Sequence, residues 1–124
     1  MYLMEKKYFK LSCSMNDCIF CKIIAKQIPS TVIAENDDIL VIKDIAPKAP
    51  IHYLIIPKKH IKDLSSLASS DCCYGSKMMK MAQELSKTIP GASDFHFLIN
   101  NGYNAGQRVF HLHAHFLSGE MLHD

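Results

Sequence analysis

The sequence predicts an α+β fold: one five-stranded antiparallel sheet with two helices. Its 124 residues suffice for one domain with one core. Five short apolar segments have strand length, whereas only two segments show helical periodicity. Because the early strands follow one another through short connections, an antiparallel sheet is favoured over alternating βαβ units. Residues 1–16 show no clear period and are expected to be an N-terminal extension, with the domain at 17–124.

The composition excludes several classes of protein. Apolar residues make up 48% and charged residues 21% of the chain, as in ordinary globular proteins. A net charge of +2, without an arginine-rich stripe, argues against a nucleic-acid partner. No apolar run approaches the roughly 18 residues of a membrane span. Five cysteines, an odd number, and no visible secretory signal favour a reducing, cytoplasmic location.

The N-terminal half of the domain is predicted to contain one helix and three strands. A helix is predicted over residues 18–26, with Ile19, Phe20, Ile23 and Ile24 on one side. Asn16 or Asp17 is its expected N-cap. β-Branched and aliphatic residues then predict the three strands. These strands span residues 31–35, Ile39–Lys43 and 51–56.

A longer helix and two strands complete the prediction. Asp71 is the expected N-cap of a helix that continues to about Ile89 and ends before Pro90-Gly91. Its apolar residues recur at helical spacing, and we expect this methionine-rich stripe to pack in the core rather than form an adaptable binding surface. The stripe contains Tyr74, Met78, Met81, Ala82, Leu85 and Ile89. The last two strands are predicted at residues 94–100 and 109–117.

Three histidines alternate along the last predicted strand. Side chains alternate between the faces of a strand, so His111, His113 and His115 are expected on one face. Such a row can bind a metal ion, or it can attack a phosphorus centre through a neutral imidazole. A purely structural role is less favoured, because each buried imidazole would need its own hydrogen-bond partner.

The loop before the histidine row favours phosphorus chemistry. Gly102 and Gly106 allow the backbone of residues 100–108 to approach a ligand closely, and successive amides can cradle a phosphate. Arg108 can add a charge-assisted contact.

These motifs together resemble the histidine-triad (HIT) family. The resemblance covers residues 17–119 and is closest to the Hint-type branch of purine nucleoside phosphoramidases. The third histidine argues against the galactose-1-phosphate uridylyltransferase branch, which has glutamine there. The residues that carry the resemblance are His111-Leu-His113-Ala-His115-Phe-Leu117, Asp44-Ile-Ala-Pro47-Lys-Ala-Pro50, and His52-Tyr-Leu-Ile-Ile-Pro57-Lys-Lys-His60.

The resemblance implies an enzyme that hydrolyses purine nucleoside 5′-phosphoramidates through a covalent nucleotidyl-histidine. It makes His113 the nucleophile, His115 a contact to the phosphate and leaving group, His111 a supporting residue and His52 a positioning residue. It implies AMP, GMP and their phosphoramidates as ligands, no organic cofactor, and a homodimer with a continuous ten-stranded sheet. Two alternatives remain open: a dinucleoside polyphosphate hydrolase, and a nucleotide- or zinc-binding interaction protein with little catalysis.

The nucleotide contacts implied by the resemblance come from three segments. Phe20, Ile23 and Ile45 would form the purine slot, and Asp44 would bind the ribose hydroxyls; Asn100, Gly106, Gln107 and Arg108 would line the phosphate and leaving-group region. Relatives often have serine or threonine at the position of Arg108, so this residue bears on leaving-group chemistry.

A structural metal site is also implied by the resemblance. Some family members with a Cys-x-x-Cys pair bind zinc, which here would use Cys18, Cys21, His60 and His111. Two cysteines and two histidines form a closed tetrahedral set, so the zinc would be structural. The alternative is a reduced cysteine pair packed in the core.

Overall fold

The computed structural model describes residues 17–119, which form one antiparallel sheet with a helix on each face. The predicted extension at 1–16 lies outside the described residues. The strand order is β1-β2-β3-β5-β4, and this confirms the predicted fold class. The elements are α1 (Ile19–Ile24), β1 (Val32–Glu35), β2 (Ile39–Lys43), β3 (Ile51–Pro57), α2 (Cys73–Thr88), β4 (Phe95–Leu98) and β5 (Ala114–Ser118). Among these residues, no helix is long and apolar enough to cross a membrane.

Strands β2 and β3 are apolar on both faces because each face of the sheet is covered. Alternate residues of β2 and β3 pack against α2 on one side and near α1 on the other. The α2 side contains Ile39, Val41, Ile55, Met78, Met81, Ala82, Leu85 and Phe116. The α1 side contains Cys18, Phe20, Ile23, Leu40, Ile42, Leu54 and Ile56. The methionine stripe of α2 is therefore core, as expected.

Helix α1 is shorter than predicted and has a different cap. It spans Ile19–Ile24, and the Cys18 sulfur accepts a hydrogen bond from the backbone N–H of Cys21. Asp17 is therefore not the cap, and Asn16 lies outside the described residues. Lys26 has a φ of 64°, a left-handed conformation that stops the helix before Pro29.

Helix α2 begins one residue later than the predicted cap implies. Its N-cap is Cys72, whose side chain makes no capping hydrogen bond. Asp71 instead ends a short 3₁₀ turn, and its carboxylate accepts hydrogen bonds from the Lys59 ammonium at 2.8 and 2.9 Å. The salt bridge to Lys59 therefore uses the Asp71 carboxylate that was predicted to cap the N-terminus of α2.

The last two strands are shorter than predicted, and for β5 the difference changes the site. Strand β4 covers Phe95–Leu98, and β5 begins only at Ala114. The backbone N–H of Leu112 donates to the Ile61 carbonyl, outside the sheet. His111 and His113 therefore precede the strand, and the expected single row of three histidines on one strand face is wrong.

Candidate functional site

A large cleft opens on the α1 side of the sheet. Its volume is about 1260 Å³. One wall is mainly apolar and comes from α1 and β2, and the other comes from the segment between Leu98 and Val109. The residues that border it include Phe20, Ile23, Ile42, Asp44, Ile45, Lys48, His52, Asn100, Gly106, Arg108, His113 and His115.

His113 and His115 lie together in this cleft, with ring centroids 5.2 Å apart. His113 is buried, and its Nδ1 lies 2.7 Å from the carbonyl oxygen of His111. A carbonyl can only accept, so Nδ1 carries the proton and donates. In the neutral ring, Nε2 of His113 then keeps its lone pair, as a nucleophile requires.

A chain of hydrogen bonds sets the opposite tautomer at His115. The backbone N–H of Lys48 donates to Nδ1 of His52 at 3.0 Å, so the proton of a neutral His52 is on Nε2. That Nε2–H lies 2.9 Å from Nδ1 of His115 and donates to it. The remaining proton of His115 is therefore on Nε2. His113 presents a lone pair, whereas His115 presents a hydrogen-bond donor.

The same series of hydrogen bonds explains why Asp44, His52 and His115 do not form a second metal site. Their ligand atoms are close enough to surround an ion. However, His52 accepts from a backbone amide through Nδ1, so its Nε2 holds a proton rather than a free lone pair. The Asp44 carboxylate lies 3.4 Å from this Nε2 and complements its positive end. The group fits a hydrogen-bonded array better than a metal centre.

Burial keeps these imidazoles neutral. Desolvation lowers the pKa of His52 and of His113, and it lowers the pKa of His115 to about 4, with repulsion from His113 and His52 as further causes. The nearby Asp44 carboxylate opposes these shifts only in part. All three rings are therefore uncharged at neutral pH.

This neutrality predicts a pH-dependent stability. Between pH 6.5, the usual histidine pKa, and about pH 4, His115 is protonated in the unfolded protein but remains neutral in the folded protein. The free energy of unfolding should therefore decrease as the pH falls through this window. Denaturant unfolding of the wild type and His115→Asn at several pH values tests this. The variant should lose less stability than the wild type between pH 6.5 and 4; parallel losses would contradict the prediction.

The predicted nucleotide contacts on the apolar wall do border the cleft. Phe20 and Ile23 are buried in that wall, and the rings of Phe20 and His113 meet in a T-shaped contact with a centroid distance of 5.0 Å. Ile45 is fully exposed at the cleft mouth. The Asp44 carboxylate is half-buried and accepts from the backbone N–H of Ala46 at 2.8 Å, which fixes its orientation.

The residues predicted from the loop before His113 divide into two groups in the structure. Asn100, Gly106 and Arg108 border the cleft as expected. Gln107 is only 1% exposed, and its amide is used entirely by the backbone. Its Oε1 accepts from the N–H of Gly102, and its Nε2 donates to the carbonyls of Lys62 and Val109 at 3.0 Å each. Gln107 therefore holds the loop in place rather than lining the phosphate region.

Replacing Gln107 by methionine should destabilise the protein by about 2–4 kcal/mol, because three backbone groups lose their buried partner. Chemical denaturation measures this. Gln83→Met is the matched control, since Gln83 is exposed on α2 and should change the free energy of unfolding by less than about 0.5 kcal/mol. Equal, small effects of both substitutions would contradict the structural role of Gln107.

A second cluster lies beside the cleft and fits a metal ion. Cys18, Cys21, His60 and His111 place four ligand atoms within 4.8 Å of one another. The sulfur–nitrogen distances are 3.4 Å (Cys18–His111), 3.2 Å (Cys21–His60) and 3.6 Å (Cys21–His111), and the two Nδ1 atoms are 3.1 Å apart. A tetrahedral zinc ion has bonds of about 2.3 Å to sulfur and about 2.1 Å to nitrogen. This geometry requires sulfur–nitrogen separations of about 3.6 Å and a nitrogen–nitrogen separation of about 3.4 Å.

The protonation of the cluster also suits a metal. Nε2 of His111 lies 2.7 Å from the carbonyl of Pro57 and donates to it, so Nδ1 directs its lone pair at the cysteines. The hydrogen bond from the Cys21 thiol lowers the pKa of Cys18, whereas donation to Cys18 raises the pKa of Cys21. His111 is fully buried, and its ring belongs to this cluster rather than to the cleft.

Sequence reasoning missed two features of the site. The backbone amide of Lys48 orients His52, but a backbone donor leaves no signal in a side-chain pattern. Tyr103 supports Arg108: the guanidinium carbon lies 4.2 Å from the centroid of its ring. The Tyr-x-x-x-x-Arg spacing in a glycine loop was available as a signal, but only the loop conformation shows that the two meet.

The fold and site define a small α+β protein with a paired-histidine cleft and an adjoining Cys₂His₂ cluster. A family model described as "Scavenger mRNA decapping enzyme C-term binding" matches residues 17–123. Protein HitA of Neisseria gonorrhoeae is 43% identical over 103 residues, covering 83% of this chain and 96% of that protein. An uncharacterized HIT-like protein of Synechocystis is 41% identical, with 83% and 90% covered.

Solved structures show the same relationship. A histidine triad protein from Clostridium difficile superposes with a TM-score of 0.83 at 37% identity, covering 87% of this chain and 95% of that one. A HIT family hydrolase from Legionella pneumophila gives 0.81 at 36% identity, covering 86% and 96%. The chain belongs to the histidine-triad (HIT) family.

Proposed function

We propose that this protein is a nucleotide-binding hydrolase that cleaves purine nucleoside 5′-phosphoramidates. The observation that carries the proposal is the opposite protonation of His113 and His115 in one cleft, which supplies a nucleophile beside a hydrogen-bond donor. Similar structures from Legionella pneumophila and Clostridium thermocellum are described as HIT family hydrolases.

The proposed reaction has two steps at phosphorus. Nε2 of His113 attacks the α-phosphorus, a bond from phosphorus to histidine forms, and the bond to the substrate amine breaks. The amine keeps the electron pair and takes a proton that enters from solvent. His115 donates its Nε2–H to a phosphate oxygen as charge develops. Water then attacks, its hydroxyl stays on phosphorus, its proton leaves to solvent, and the bonding pair returns to His113.

The two walls of the cleft suit the two parts of such a substrate. The purine would pack between Phe20 and Ile23 on the apolar wall, with Ile45 at the open side. The ribose hydroxyls would donate to the Asp44 carboxylate, which only accepts when ionised. Asn100, Gly106 and Arg108 would then face the phosphate and the leaving group.

We further propose that zinc occupies the Cys₂His₂ cluster in a structural role. All four ligands come from the protein, so the set offers no open position for a substrate. When bound, the ion would tie α1 to the segment that carries His111. Because His113 donates to the carbonyl of His111, that segment also sets the orientation of the nucleophile. The resemblance of this chain to the HIT family also leads us to expect a homodimer.

The test is a comparison of kcat/KM on adenosine and guanosine 5′-phosphoramidates with that on diadenosine triphosphate. Higher values for both phosphoramidates would support the proposal. A preference for the triphosphate would favour the second candidate, a dinucleoside polyphosphate hydrolase, for which the cationic Arg108 at the cleft is the favourable observation. Tight AMP binding without turnover of any of the three would instead indicate a binding protein.

A further inference from the structure

Arg108 is held in a fixed position at the edge of the cleft. It is the only arginine of the sequence. Its Nη1 donates to the carbonyls of Tyr103 and Gln107 at 2.8 and 3.1 Å, and the guanidinium stacks over the Tyr103 ring at 4.2 Å. Two carbonyls and an aromatic face restrain the side chain although it is exposed, so little entropy is lost when it binds a ligand.

The restraint leaves donors available for a ligand. A guanidinium has five N–H groups. Within residues 17–119, the hydrogen bonds of the Arg108 guanidinium all use Nη1. The Nε and Nη2 groups form the edge that pairs with a carboxylate or phosphate in a bidentate manner.

The charges that border the cleft favour an anionic ligand over a cationic one. Within residues 17–119, the fixed charges that border the cleft are Lys43, Lys48 and Arg108 against the single carboxylate of Asp44. The α-phosphate of a nucleotide brings one negative charge, which leaves a positive excess. Asp44 follows β2 in the part of the lining that suits the nucleoside, whereas Arg108 belongs to the loop that also contributes Asn100 and Gly106.

We propose that Arg108 is a specificity-determining residue that selects substrates whose leaving group carries a negative charge. The inference rests on the proposed function, because it needs a nucleotide transferred to His113. Arg108 binds the part of the substrate beyond the scissile bond, at the exposed rim where that part leaves the cleft. The preferred amine therefore carries a carboxylate or phosphate, and a cationic amine is disfavoured.

The experiment uses three adenosine 5′-phosphoramidates that differ only in the far end of the amine. The amines are 4-aminobutyrate, 4-aminobutyramide and 1,4-diaminobutane, which give anionic, neutral and cationic leaving groups of one length. For the wild type, kcat/KM should be about three- to tenfold higher for the anionic than for the neutral substrate, and lowest for the cationic one. Added salt should reduce the preference.

Arg108→Gln should abolish this ranking, because kcat/KM should fall most on the anionic substrate and least on the cationic one. Arg108→Lys should keep part of the preference, because lysine retains the charge but not the planar fork. Lys87→Gln removes a charge from the exposed end of α2 and should behave as wild type.

Other outcomes would overturn the inference in different ways. An equal loss on all three substrates in Arg108→Gln would show that Arg108 acts on the transferred phosphate or on the loop, not on the leaving group. An unchanged ranking in that variant would assign selectivity to another residue. If the wild type hydrolyses none of the three substrates, the proposed function fails and the inference fails with it.

Discussion

Replacing His113 by alanine should lower the turnover of adenosine 5′-phosphoramidate more than about 1000-fold, because it removes the only Nε2 lone pair that the described cleft offers to phosphorus. Nucleotide binding should be largely retained, since Phe20, Ile23 and Asp44 remain. The measurements are steady-state kcat and the Kd for AMP by calorimetry. When the wild-type reaction is quenched rapidly without acid, mass spectrometry should also detect protein that is heavier by one adenylyl group. The variant should lack this adenylylated species.

A matched histidine controls for non-specific effects. His96 lies exposed on β4, outside the residues that border the cleft. His96→Ala should keep the kcat and the adenylylated species of the wild type. If His113→Ala retains its kcat, or if His96→Ala loses as much, the assignment of His113 as nucleophile is wrong.

The sequence was most informative where a pattern reflects burial. The runs Ile39–Lys43 and Ile51–Pro57 are apolar at nearly every position because helices cover both faces of the sheet, and such runs are easily read as strands. The stripe on α2 likewise reflects a single buried face. The Cys-x-x-Cys pair and the two histidines assigned to it meet in one cluster, although His60 and His111 are 51 residues apart.

The sequence was least informative where the backbone makes the contact. Alternation from 109 to 117 indicates a strand, yet His111 must turn its Nδ1 towards the cysteines, and β5 starts only at Ala114. Gln107 has the polarity of a ligand contact, but its amide satisfies three backbone groups of its own loop. Neither outcome follows from side-chain type, because both depend on which backbone atoms the fold leaves without partners.

If zinc occupies the Cys₂His₂ cluster as proposed, replacing Cys18 by serine should remove it and lower the melting temperature by about 10 °C or more. A structural metal adds its binding free energy to folding, and each 1 kcal/mol corresponds to roughly 4–8 °C in a domain of this size. Cys18 also caps α1, so the helix start loses its thiol acceptor as well. Elemental analysis and calorimetry, with and without a chelator, measure both effects.

The chelator separates a metal site from a reduced cysteine pair that merely packs. If zinc holds the cluster, chelation should lower the melting temperature of the wild type but leave Cys18→Ser unchanged, since that variant has no ion to lose. Cys72→Ser and Cys73→Ser alter exposed thiols outside the cluster and should retain the metal content and the chelator response of the wild type. Chelation should also lower kcat, because the carbonyl of His111 orients His113. A wild type without metal, insensitive to chelation, would instead show that the four side chains are held together by packing and hydrogen bonds alone.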